Sequence, residues 1–130
     1  MDRELRRFFD KQVDFVLKRL PEQIHKLLEE IPLYVEDRPS RRLRKEMNLP
    51  PEDQLCGCFV GRTIEQKYAD GPMDLGFIAV FRETIYDMVL DEDENVDITE
   101  LREEIRITIL HELAHYHGMG EEEIESLGYG

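Results

Sequence analysis

Hydrophobic positions near the start of the chain recur at intervals of three and four. Leu5, Phe8, Phe9, Val13, Val16, Leu17 and Leu20 share one stripe, which predicts an amphipathic helix over the first twenty residues. The run PEQIHKLLEEI sets Ile24, Leu27, Leu28 and Ile31 on a second stripe, with Pro21 suited to a first helical turn; His25 lies off it and reads as a surface residue. Pro32 ends that helix, and PLYVED predicts a short strand closed by Pro39. Ser40 is a natural N-cap for a short basic helix, SRRLRKEMN, stopped by Pro50 and Pro51. LCGCFVGRTI reads as a strand in which Gly57 allows close backbone approach and Gly61 a turn or bulge. The turn-rich YADGPMDLG then leads into FIAVFR, the most strand-like run, expected to pair antiparallel with the strand before it. ETIYDMVL predicts a short helix.

The acidic loop DEDENVD follows, and Asp97 with Glu100 three residues on fits a capping box for a long helix. Leu101, Ile105, Ile109, Leu110, Leu113 and Ala114 are expected to form its buried side, and Gly118 to stop it before a last short helix. This order predicts one α+β domain over residues 1–130, with a short three-stranded sheet, mixed or antiparallel, packed on helices. A chain of 130 residues supplies one core but not two.

Charge narrows the partners. A formal net charge of −13 argues against a nucleic-acid backbone or an anionic membrane. No apolar run approaches the roughly 20 residues of a membrane span, and MDRELRRFFDKQ lacks the features of a signal peptide. A cytoplasmic protein is expected. Cys56 and Cys58, with one residue between them in a predicted strand, cannot easily bridge each other and read as small reduced residues.

The chemistry concentrates in the long helix. Three of the four histidines fall between His111 and His117, and His111 to His115 spells His-Glu-Leu-Ala-His. A spacing of four puts His111 and His115 on one helix face about 6 Å apart, as two ligands of one tetrahedral ion require. Glu112 is then placed to hydrogen-bond a metal-bound water and act as general base. Zinc is the expected ion. A further ligand must come from the chain beyond Gly118, where Glu121, Glu122, Glu123 and Glu125 compete. Glu121, three residues past the turn, stands where HExxHxxGxxH proteins present their third ligand, and Glu125, on the same helix face, is the runner-up or a supporting partner. Glu122 and Glu123 are expected to point elsewhere.

The run from Leu101 to Gly130 resembles the end of the small bacterial zincin-like metallopeptidases, the minimal zincins: a helix ending in HExxHxxGxx(D/E), then a short acidic helix closing in Leu-Gly-aromatic. The matching residues are His111, Glu112, His115, Gly118, Glu121, Leu127, Gly128 and Tyr129. Upstream, VEDRPS is similar to the family's V-E-D-x-P segment, LCGCFVG to its L-x-G-x-Y-x-G strand, and FIAVFR to its second hairpin strand. The chain departs in Cys56 and Cys58, where aliphatics are usual, and in the order Tyr116-His117. The resemblance implies a zincin fold reduced to its N-terminal half, with an exposed cleft and a zinc-bound water.

The expected function is a zinc-dependent hydrolase of peptide bonds in a peptide or protein substrate, with the substrate extended along the exposed edge of FIAVFR. Candidate oxyanion or substrate-binding groups are His117, Tyr116 and Tyr129, the two tyrosines equally suited to packing. Acidic residues near the cleft, Glu104, Glu121 and Glu122, are expected to favour cationic or neutral peptides. A different class of function is a zinc-binding interaction or regulatory domain with little turnover unless a protein partner completes the cleft.

Overall fold

A computed structural model describes residues 1–50, 54–61, 63 and 76–126. Helix α1 (Arg3–Lys18) begins where the Asp2 carboxylate accepts from the Glu4 N–H at 2.8 Å. Its apolar stripe buries Phe9, Val13 and Val16, each worth about 1.5–3 kcal/mol of apolar transfer. Helix α2 (Glu22–Glu30) leads into strand β1 (Leu33–Glu36), and helix α3 (Arg41–Glu46) starts at Ser40, whose hydroxyl accepts from the Leu43 N–H. Strands β2 (Gly57–Val60) and β3 (Phe77–Phe81) precede helix α4 (Arg82–Val89), the long helix α5 (Ile98–Tyr116) and the short helix α6 (Glu121–Ser126).

The sheet is mixed, in the order β1-β3-β2. Strand β3 runs parallel to β1, with Leu33 opposite Ile78, and antiparallel to β2, with Cys58 opposite Ala79. The antiparallel pairing is as expected from the sequence. The exposed edge expected on FIAVFR is not there, because β3 is the central strand and both of its edges are hydrogen-bonded. On the site side of the sheet, β2 is the strand that forms the edge.

Alternation along β2 serves two layers. Phe59 packs on the main core with α5, while Cys58 joins Leu43, Ala79 and Phe81 in a smaller cluster under α3. Helix α5 lies between α1 and the sheet, so it is covered on two faces. Leu101, Ile105, Ile109, Leu110 and Leu113 are buried as the periodicity predicts, but so are Thr108, Glu112 and Tyr116, and Ala114 is only half-buried. At its start the Asp97 carboxylate accepts from the N–H groups of Thr99 and Glu100.

Charged groups tie the periphery together. Arg82, 11% exposed, donates to Asp10 of α1 and to Asp37 just after β1, each at 3.0 Å, and Arg6 donates to the other oxygen of Asp37 at 2.6 Å. Arg6 first and Arg82 second hold the Asp37 carboxyl below its usual range, against the opposing effect of burial. His25 is not a free surface residue: its Nε2 meets the Leu17 carbonyl and so joins α2 to α1. Among the described residues no helix is long and apolar enough to cross a membrane.

Candidate metal centre

The site is built at the C-terminal end of α5. Four residues of helix bring the imidazoles of His111 and His115 edge to face, with their Nε2 atoms 3.2 Å apart. The helix then closes in a Schellman motif. Met119 N–H donates to the Ala114 carbonyl and Gly118 N–H to the His115 carbonyl, while Gly118 takes a φ of 93°, open to glycine at little cost. This turn sends the chain back past its own helix end. Glu121, the first residue of α6, thereby sets Oε1 2.7 Å from His115 Nε2 and 3.5 Å from His111 Nε2.

Whether these three groups suit a metal can be judged from the spacing. Ligands about 2.1 Å from a tetrahedral zinc stand about 3.4 Å from one another. Two of the three separations, 3.2 and 3.5 Å, match that edge, and the third is shorter by the amount expected of a direct carboxylate–imidazole contact. All three donor atoms lie within 4.8 Å of one another. Two imidazoles and a carboxylate also make the donor set of catalytic zinc sites that keep one position open. His111, His115 and Glu121 could therefore hold a divalent ion.

Glu112 points to the same place from a drier position. It is 8% exposed, and its Oε2 lies 3.9 Å from His111 Nε2. Burial pushes its pKa up to about 7; His111 and His115 pull against that shift, and Glu121 adds to it. Strand β2 presses on the helix here because Gly57 has no side chain. A Cβ at Gly57 would stand 2.7 Å from both the Ala79 carbonyl oxygen and Thr108 Cγ2, and 3.4 Å from Glu112 Cγ.

In front of these groups lies an open cleft of about 490 Å³, walled on the apolar side by Met47, Leu55, Phe59 and Met119. Cys58 also lines it, but burial first and Glu112 second raise its thiol to about 12, which leaves it a neutral wall residue. The apolar wall from Met47 and Leu49 escaped sequence reasoning. Its only signal was the apolar pair flanking Asn48, which the structure places in a left-handed turn with φ 54°.

The other sequence candidates fall in different places. Tyr116 is fully buried, its ring 5.7 Å from that of Phe59 and its hydroxyl donating to Glu30 at 3.1 Å, so it packs in the core rather than lining the cleft. His117 is exposed at the helix cap and does not line the cleft either. Glu122 and Glu123 are exposed on α6. Tyr129 and the side chain of Glu125 lie outside the described residues.

The family model of zincin-like metallopeptidases matches residues 28–130, from within α2 to the end of the chain. The chain belongs to the zincin-like metallopeptidase family. The family is one of metallopeptidases whose metal is typically zinc, and the small α+β arrangement of this chain agrees with it. A comparison with curated proteins found no match. The zincin-like match takes in the whole of α5 and the returning α6, and leaves α1 outside it.

Proposed function

We propose that this zincin-like protein is a zinc-dependent peptidase in which His111, His115 and Glu121 hold the metal and Glu112 is the general base. The observation that carries the reading is the convergence of three donor atoms within 4.8 Å, with the buried carboxylate of Glu112 alongside. Zinc bound there would supply Lewis acidity, polarising a carbonyl and making water acidic enough to lose a proton near neutral pH. Glu112 takes the proton of the attacking water and delivers it to the leaving amine nitrogen. Its low exposure keeps competing solvent from that carboxylate, and Gly57 of β2 lies against its stem from the strand side.

A peptide lies extended along the outer edge of β2. Among the described residues β2 pairs only with β3, which leaves one row of its backbone groups to an added strand. The apolar wall of Met47, Leu55 and Phe59 then receives a side chain of the substrate.

The test is Glu112→Gln. The zinc-loaded wild type is expected to cleave unstructured peptides, and the variant to bind zinc with unchanged stoichiometry while losing cleavage by a factor of roughly 100 or more. If neither protein cleaves any peptide, the peptidase reading fails in favour of a zinc-binding interaction domain.

A further inference from the structure

Beyond the metal donors the cleft continues toward the N-terminal half of α5. A second cavity, of about 300 Å³, shares Leu55, Gly57, His111 and Glu112 with the first and extends to Cys56, Met88, Ile107 and Glu104. Its apolar flank includes two sulfur side chains in contact, with Cys56 Sγ 3.1 Å from Met88 Sδ. Among the described residues one charged group stands at its far end, the half-buried Glu104, and no lysine or arginine lines it.

Glu104 differs from the other acidic residues of this region. Glu103 is paired with Arg106 at 2.7 Å, Glu121 is taken up by the histidines, and Glu122 and Glu123 are exposed. Glu104 has its carbonyl engaged by the Thr108 hydroxyl, but among the described residues its carboxylate makes no ion pair or hydrogen bond. It lies on the helix stripe of Thr108, His111 and His115, two turns before His111, which is about 10.5 Å along the axis. That is the span of about three residues of extended peptide, or of a shorter backbone step plus a long side chain.

We propose that Glu104 sets substrate specificity by pairing with a lysine or arginine side chain of the peptide, within three residues of the scissile bond. The inference rests on the peptidase reading above and narrows its substrate class. The methylene stem of such a residue packs along Cys56, Met88 and Ile107, and its cation reaches the carboxylate at the end. An apolar side chain in this cavity would leave a half-buried carboxylate stripped of water and unpaired, and an acidic one would be repelled outright.

The experiment uses the full-length zinc-loaded protein and a matched series of peptides differing at one position, Lys, Arg, Leu or Glu, scanned over three residues on each side of the cleaved bond. For at least one position the wild type is expected to prefer Lys or Arg over Glu by roughly tenfold or more in kcat/KM, and the preference should survive physiological salt because the pair is partly buried. In Glu104→Gln the Lys-to-Glu ratio is expected to fall to within about threefold, and in Glu104→Lys to reverse. A preference absent from the wild type, or one that Glu104→Gln leaves unchanged, overturns the inference while the peptidase reading stands. Failure to cleave any member of the series overturns both.

Discussion

Glu121 Oε1 lies 2.7 Å from His115 Nε2, although the two residues belong to different helices. The Schellman turn between them does this, with Gly118 as the single residue in a conformation that a side chain would strain. The expected outcome of Glu121→Gln is a fall in zinc affinity of more than about tenfold, with Glu122→Gln and Glu123→Gln nearly unchanged and Glu121→His retaining the metal. Gly118→Ala leaves all three donors in the sequence and meets no neighbour within 4 Å, so its effect is purely conformational. It should cost about 1–2 kcal/mol of stability and weaken zinc binding as well. Zinc titrations and urea unfolding of these variants measure both effects. Unchanged affinity in Glu121→Gln would remove Glu121 from the ligand set.

Gly57→Ala tests the contact between strand and helix. The new methyl would stand 2.7 Å from the backbone oxygen of Ala79 and 2.7 Å from Thr108 Cγ2, so something must shift, at about 1–3 kcal/mol. Adding Thr108→Ser removes the side-chain half of the clash and should recover only part of the loss, because the Ala79 carbonyl is held in the sheet. Peptide cleavage is expected to fall in the single variant even where it is fully folded, since the same methyl approaches Glu112. Cleavage at the wild-type rate would show that the position of Glu112 does not depend on β2.

Tyr116 should behave as a core residue. Tyr116→Phe loses one hydrogen bond to Glu30, about 1 kcal/mol, and keeps the ring packed on Phe59. Tyr116→Ala should cost about 3–5 kcal/mol. Steady-state kinetics of the Phe variant are expected to match the wild type within about twofold, whereas loss of an oxyanion donor would lower kcat roughly 100-fold.

Asp37 links stability to pH. Its pKa is depressed in the folded state, so its contribution is fully present above the unfolded value near 3.9 and is lost as pH falls through the lower folded value. Thermal unfolding of the wild type should therefore steepen in its pH dependence below about pH 4, and Asp37→Asn should flatten that slope. At neutral pH the variant is expected to lose about 1–2 kcal/mol, since Arg82 keeps Asp10 while Arg6, which is 44% exposed, adds little. Parallel slopes for the two proteins would assign the acid sensitivity to other carboxylates.

Local signals made much of this readable before any coordinates. Period-3.6 stripes, Ser40 and Asp97 as caps, and Gly118 as a stop all act within a few residues, so α1, α3, α5 and the turn to Glu121 follow from them. The failures are long-range. FIAVFR reads as a strand, but nothing within it says that β1 will pair along its second edge, 45 residues upstream in register. Tyr116 continues the helix as well as any residue, and only long-range contacts, among them Phe59 of β2 and Glu30 of α2, decide that it points inward. Arg82 looks like the polar end of a strand until Asp10 and Asp37 arrive from two other elements.

Helix α1 lies outside the 28–130 match, yet Phe9, Val13 and Val16 share one core with Leu101, Ile105 and Ile109 of the helix that carries His111 and His115. Asp10 and Gln12 of α1 also receive Arg82 and Arg102. The span recognisable by kinship is thus shorter than the unit that must fold together. A fragment cut at residue 28 would keep every candidate ligand and strip one side of the helix on which two of them ride, so trimming by resemblance would remove the scaffold while preserving the motif.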